Sequence, residues 1–365
     1  MRIIFNIFLI FIFVLINKGL ILAKVSGECS NCHTMHYSQN GTNATAWGSG
    51  GPYEWLTISD CVGCHSAGDS STWKDPITGA PIVYNTAEPS YGFYYAAGGK
   101  KEGLAGGNFY YVTEDDTHGH NVVAIPEVDQ DDYITQTPGH VDGKTCSGCH
   151  GGESGNMVLT KCVFCHNPKH HADENGPVVG DDEEVKYRFL SLDYYHPYTM
   201  QQGTYNFYGV AGIEDDDWEY TVDSSDHNEY CGAAESGDYN GTSHSISRYC
   251  AACHWGFYGN NTEHWVRHPS DYALPDSGEY ANYTTYNPLA PIARLESTLT
   301  GMTNSRSTVT PGEDQVSCLS CHRPHASPYA DILRWDYEGK CLVENATADE
   351  CGCLVCHTEK SALNP

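Results

Sequence analysis

The sequence predicts a chain that is mostly coil, with a few short helices and short strands and little regular secondary structure. Three observations lead there. Apolar residues that build ordinary cores are scarce: over residues 24–365, leaving out the tyrosines and the cysteines of a repeated motif, they amount to roughly 26%. The intervals are rich in Gly, Asn, Ser, Thr, Tyr and Asp, with few windows of helical or alternating period. Finally, 17 cysteines stand beside 19 histidines in 365 residues. A chain with so little Leu, Ile, Val and Phe folds only if something other than aliphatic side chains fills its interior.

Residues 1–23 read as a secretory signal peptide, with Arg2 as the positive start, an apolar run over 3–16 and a small residue, Ala23, at the end. The run is shorter than the ~20 residues a membrane span needs, so stable membrane insertion is not expected. Loss of Arg2 and Lys18 with the signal leaves 17 basic against 47 acidic residues, a net charge of −30. That sign argues against nucleic acid and anionic lipid as partners.

Seven times the chain writes Cys-x-x-Cys-His. The motifs are Cys29, Cys32 and His33; Cys61, Cys64 and His65; Cys146, Cys149 and His150; Cys162, Cys165 and His166; Cys250, Cys253 and His254; Cys318, Cys321 and His322; and Cys353, Cys356 and His357. In the haem c attachment motif both thiols add to the porphyrin vinyl groups and the adjacent His ligates iron from the proximal side. Chance would give on the order of 0.04 such motifs in a chain of this content. Zinc sites and disulfides do not require a His after every second Cys. Seven covalently bound haem c groups are therefore expected, with His33, His65, His150, His166, His254, His322 and His357 as proximal ligands.

Three cysteines remain. Cys341 and Cys351 are placed to close a short disulfide, leaving Cys231 odd; a free thiol, or Cys231 paired with either, is also open. Cys351 also creates a rival frame, Cys351 and Cys356 before His357, but Cys353 matches the spacing of the other six motifs.

Twelve histidines lie outside the motifs, more than the seven distal ligands that would make every haem bis-His. His36 and His325 follow their proximal partners by three residues and His170 by four. A His so close to its own proximal ligand does not fold round to the opposite haem face, so each is expected to serve a neighbouring haem. His140 and His244 precede motifs by six residues, while His120 and His268 stand in long intervals. The candidate distal set is His36, His120, His140, His170, His244, His268 and His325. His118, His171, His196 and His264 are substitutes, and His227 is the expected bystander.

Motif starts are separated by 32, 85, 16, 88, 68 and 35 residues, with no repeat period. At about 49 residues per haem the cofactors must touch, which predicts one haem-cored domain over 24–365 and a continuous stack. Short helices are expected around the motifs and over 290–299, and short strands near 92–95 and 108–113. The acidic clusters at 114–116, 129–132, 181–184 and 214–217 lack EF-hand spacing and read as solvated loops. Tyrosines are expected to pack on porphyrin faces.

Several phrases carry a family resemblance: Cys29-Ser-Asn-Cys-His-Thr-Met-His36, Gly119-His120-Asn121-Val122-Val123-Ala124, Cys250-Ala-Ala-Cys-His254 with Val266-Arg267-His268-Pro269, and Cys318-Leu-Ser-Cys-His-Arg-Pro-His-Ala-Ser327. In that order they resemble the OmcS-like multihaem c-type cytochromes that polymerise into extracellular filaments. The resemblance implies bis-His haems stacked in alternating parallel and T-shaped pairs. It also implies that His36 ligates a haem of the adjacent subunit, with the haem on Cys318, Cys321 and His322 as candidate recipient. Six haems are typical there, so the motif of Cys146, Cys149 and His150, with His140, looks like an insertion. A His expected shortly before Cys318 is missing from 269–317, which makes His244 or His196 the candidate to compensate.

The function that follows is secreted, long-range extracellular electron transfer, without a substrate site. The partners are other copies of the chain in a head-to-tail homopolymer, other cytochromes and extracellular electron acceptors. A soluble periplasmic carrier is the alternative. A multihaem reductase is a third reading, disfavoured because every motif ends in His and spare ligands abound.

Overall fold

The structure, a computed structural model, describes residues 61–76, 79–91, 103–122, 125, 162–166, 190, 210–237, 244–251, 254, 257–258 and 268–360, with the strand pair at 38–39 and 42–43. The signal segment lies outside these residues, as does the expected strand at 92–95.

Regular elements are short and most of the described chain is coil. The helices are α1 (Val62–His65), α2 (Tyr110–Glu114), α3 (Cys162–Cys165), α4 (Ile246–Ala251), α5 (Glu296–Thr300) and α6 (Cys353–Cys356). Tight 3₁₀ turns cover Asp116–His118, Gly278–Asn282, Cys318–Ser320 and Ala330–Ile332. There are two strand pairs, β1 (Ser38–Gln39) with β2 (Thr42–Asn43) and β3 (Ser66–Ala67) with β4 (Tyr84–Asn85).

One larger sheet runs β5 (Gly212–Ile213), β6 (Glu229–Cys231), β8 (Ala293–Arg294), β9 (Gln315–Val316), β7 (Tyr272–Ala273) in spatial order. The β6–β8 pair is parallel and the others antiparallel. Arg294 is fully buried at its centre and ties β8 to its neighbours. Its Nε and Nη2 donate to the two carboxylate oxygens of Glu229 at 2.7 and 3.1 Å, and Nη1 donates to Asp314 at 2.6 Å. The remaining donors go to the carbonyls of Thr308 and Arg306 at 2.8 and 2.9 Å. All five guanidinium N–H groups are thus used, which is what makes a buried charge tolerable.

Three local expectations are corrected. Residues 108–113 form no strand but lead into α2, because the Asn108 side chain accepts from the backbone N–H groups of Asn85 and Tyr110 at 3.2 and 3.0 Å and turns the chain. The helix expected over 290–299 is split: β8 pairs on both sides first, and only α5 is helical. The 214–217 cluster also departs from a solvated loop. Asp215 is buried, accepts from the Glu219 N–H at 2.7 Å, and is pushed up to about 8 by burial and by Asp217.

Apolar packing is dispersed. The largest cluster gathers Leu274, Tyr283, Tyr286, Leu289, Ile292, Val309, Trp335 and Val355 around Cys341 and Cys351. A second brings Tyr84, Tyr91, Phe109, Tyr111, Val112, Val122 and Ile125 onto Ala326. Among the described residues no helix is long and apolar enough to cross a membrane.

Candidate haem-binding site

Each described motif is one helical turn. The His N–H donates to the carbonyl of the first Cys in all five: His65 to Cys61 at 3.0 Å, His166 to Cys162 at 2.8 Å, His254 to Cys250 at 3.1 Å, His322 to Cys318 at 3.0 Å and His357 to Cys353 at 2.9 Å. Positions i, i+3 and i+4 of a turn share a face, so this bond presents two sulfurs and an imidazole to one side. Two predicted attachment motifs lie outside the described residues: Cys29, Cys32 and His33 in the first, and Cys146, Cys149 and His150 in the third. Cys253 and the side chain of Cys64 lie outside them as well. Attachment through Cys32 and Cys149, like that through Cys29 and Cys146, therefore rests on motif spacing.

The imidazoles are oriented through Nδ1. It bonds the carbonyl of Pro81 in His65 at 2.8 Å, of Asp331 in His322 at 2.8 Å, of Pro269 in His268 at 3.1 Å and of Pro324 in His120. A carbonyl oxygen only accepts, so Nδ1 carries the proton and Nε2 is the bare nitrogen. His357 and His244 do the same with carboxylates, Glu279 at 3.2 Å and Glu296 at 2.7 Å. Fixing one ring nitrogen so that the other is free to ligate is how proteins prepare a metal-binding imidazole.

Three pairs of imidazole rings meet at tilted or T-shaped angles. His166 and His325 have ring centres 5.8 Å apart, His120 and His254 6.0 Å, and His268 and His357 6.4 Å. An iron with imidazole nitrogens ~2 Å away on both sides, and ring centres about 1.1 Å further out, requires roughly 6 Å between centres. The donor set and its spacing therefore fit bis-His haem. His325, three residues from His322, meets the proximal ring of the motif formed by Cys162 and Cys165.

The folding that makes these pairs is specific. His325 N–H donates to the Gly106 carbonyl at 2.7 Å and His120 N–H to the His325 carbonyl at 3.0 Å, zipping residues 106–120 along the segment that follows Cys318. Gly107 sits at φ +86°, where an added Cβ would lie 1.8 Å from the Ala326 carbonyl oxygen, so only glycine permits this approach.

The attachment cysteines are chained together. The Cys250 thiol is pushed well up by the hydrogen bond it donates to the Cys318 sulfur and by burial, with Cys165 nearby. Burial, with Cys353, Cys356 and Cys318 beside it, pushes Cys321 up to about 12. Tyr249 OH donates to the Cys165 carbonyl at 2.7 Å, and the Cys318 N–H to Ser247 Oγ at 3.2 Å. Four motifs thus form one contiguous series.

His227 is consumed elsewhere: it stacks on Tyr286 at 3.4 Å, bonds the Asp223 carbonyl and lies 3.3 Å from Glu229. His118 closes the 3₁₀ turn Asp116–His118. His36, His140, His170, His171, His196 and His264 lie outside the described residues. Cys341 and Cys351 are joined in a disulfide, and Cys231 is a buried free thiol pushed well up by burial. The acceptors Pro81, Pro324 and Asp331 were not legible as site residues, because they contribute only backbone carbonyls.

Residues 310–362 match the family model described as a doubled CXXCH motif. Over 353 residues the chain is 26% identical to the C-type cytochrome OmcS of Geobacter sulfurreducens, covering 85% of this chain and 78% of the relative. Its fold matches the outer membrane cytochrome S filament of that organism with a TM-score of 0.54 at 20% identity, over 86% of this chain and 84% of the other. It matches a second structure, of the OmcS nanowires, with a TM-score of 0.58 at 19% identity, over 93% and 100%.

The fold is that of an OmcS-like cytochrome. Each described Cys-x-x-Cys-His motif occupies one short turn, and coil joins most of these turns to the rest of the fold.

Proposed function

We propose that the chain is the subunit of a head-to-tail extracellular filament that conducts electrons through a continuous stack of seven bis-His c-type haems, held in one domain over residues 24–365. The observation that carries this reading is the trio of imidazole pairs at 5.8, 6.0 and 6.4 Å. In this reading His325 completes the haem on Cys162 and Cys165, His120 that on Cys250 and Cys253, and His268 that on Cys353 and Cys356. His36, His140, His170 and His244 supply the remaining four, with His36 reaching the haem on Cys318, Cys321 and His322 of the next subunit. The pairs Cys29 with Cys32 and Cys146 with Cys149 each anchor one haem of the seven.

The haems supply iron that takes up and releases one electron. Two histidines of the chain would hold each iron, which would leave no coordination site open to a substrate, and the proposed role is conduction without catalysis. Nδ1 hydrogen bonds fix ring orientation, and the chained cysteines bring neighbouring cofactors into contact. A heterologous contact that does not close gives an open polymer, and a ligand crossing it makes the contact strong.

The test is haem counting, electron paramagnetic resonance and electron microscopy of the exported protein and of His36→Ala. Seven low-spin haems in a polymer are expected, and His36→Ala should keep the haems attached but lose long filaments. A high-spin iron in the unsubstituted protein, or normal filaments in His36→Ala, would overturn the corresponding part.

A further inference from the structure

We propose that the Cys341–Cys351 disulfide is a register guard for cofactor attachment, removing Cys351 from competition with Cys353 so that the last haem is fixed only through Cys353 and Cys356. This rests on the c-type haem reading of that motif.

The sulfurs of Cys341, Cys351 and Cys353 lie within 4.8 Å of one another. Cys351 and Cys353 are thus neighbours at one end of the motif, and either thiol is placed to compete for the same vinyl group. In thioether formation the S–H bond and the vinyl π bond break, sulfur bonds one vinyl carbon, and the hydrogen ends on the other carbon. No net electrons move. A disulfide sulfur has no S–H and cannot add, so pairing Cys351 with Cys341 leaves one eligible thiol.

The surroundings build this pairing without help from a cofactor. The preceding residues form a second rung: Lys340 Nζ bonds Glu350 Oε1 at 2.7 Å. Cys351 N–H donates to the Thr347 carbonyl at 2.9 Å and Lys340 N–H to the Asp336 carbonyl at 3.0 Å, shaping both ends of the loop before closure. Cys341 and Cys351 are buried in the largest apolar cluster. Gly352, between the competing cysteines, lies so close under Trp335 that an added Cβ would sit 2.2 Å from the indole.

Closure transfers two electrons and two protons from the Cys341 and Cys351 thiols to a protein disulfide oxidant of the exported compartment, which becomes a dithiol. Oxidation before attachment then yields a single product, and the thioether at Cys353 removes the one nearby thiol able to reopen the pair by exchange.

The test is peptide mapping by mass spectrometry of full-length holoprotein matured with haem attachment. The unsubstituted chain should show haem on Cys353 and Cys356 with Cys341 and Cys351 disulfide-linked. In Cys341→Ser, two thiols at comparable reach should divide the last haem about equally between Cys351 and Cys353. Cys341→Ser/Cys351→Ser should return to Cys353 alone, and Cys341→Ser/Cys353→Ser should carry a doubly linked haem on Cys351 and Cys356. Attachment in Cys341→Ser through Cys353 alone, or a haem held only by Cys356 in Cys341→Ser/Cys353→Ser, overturns the proposal. Absence of haem at Cys356 in the unsubstituted chain overturns the haem reading itself, which the other results do not touch.

Discussion

Replacing Arg294 with Met removes the one positive charge that Glu229 and Asp314 share at the centre of the five-stranded sheet. Methionine fills similar length but donates nothing, so two carboxylates and the carbonyls of Thr308 and Arg306 lose donors together. Breaking a buried ion pair by deleting one partner costs about 3–5 kcal/mol. Two features bound the loss from above. Glu229 keeps the Arg306 N–H at 2.7 Å, and Asp314, already pushed up by burial against the pull of Arg294, takes a proton once the guanidinium is gone. We therefore expect about 3–4 kcal/mol, which is over a hundredfold in the folding equilibrium. Guanidinium titration of the holoprotein followed by far-ultraviolet and Soret circular dichroism measures it, the first reporting the backbone and the second the packing around the porphyrins together. The denaturant slope should stay constant while the midpoint falls. Arg294→Met/Glu229→Gln/Asp314→Asn, which removes all the charge, should recover most of the loss. A loss under about 1 kcal/mol for the single change would mean that water solvates these carboxylates and that the hub does not hold the sheet.

Two further outcomes follow from the same geometry. His325→Ala should convert one haem to a high-spin signal in electron paramagnetic resonance, and exogenous imidazole should abolish it; an unchanged low-spin spectrum would remove His325 from the proposed ligand set. Asp271, fully buried between Ser245 and Tyr258, is raised to about 6 by burial, which those hydroxyls and Arg248 only partly offset. Its folded pKa lies above the unfolded one, so between about pH 4 and pH 6 the native state binds more protons and stability falls as pH rises. The gap corresponds to roughly 3 kcal/mol in denaturation midpoints across that window, and Asp271→Asn should flatten the contribution.

What was legible in the sequence is what short range determines. A Cys-x-x-Cys-His run closes one helical turn by a bond between its own first and last residues, so the motif, its helix, its two sulfurs and its imidazole are read together. The exclusion of His325 from its own haem is equally local, since three residues of chain do not span a porphyrin. Its partner, His166, is 159 residues away and is chosen by the zipper of residues 106–120 along the Cys318 segment, which no periodicity announces. The strand read over 108–113 failed for a related reason: Tyr110, Tyr111 and Val112 favour extended chain, but Asn108 has a remote partner in Asn85 and turns the backbone first. Arg294 was invisible because composition predicts charges at the surface, and only the fold supplies five acceptors at once.

A chain with so few aliphatic residues needs other means of holding one structure. Aliphatic packing is forgiving, since side chains of similar volume exchange places at modest cost. A bis-His iron is not, because both nitrogens must arrive within a few tenths of an ångström along one axis. With few aliphatic residues available, the described chain relies on interactions that have a direction. A bidentate guanidinium joins β6 to β8, the Cys341–Cys351 disulfide closes beside a motif, and carbonyls from remote segments fix single imidazole nitrogens. Each is satisfied in one register and lost when the chain slips by a residue. Directional contacts therefore do more here than replace missing hydrophobic surface: they hold three pairs of imidazoles 5.8 to 6.4 Å apart, the spacing that two ligands of one iron would need.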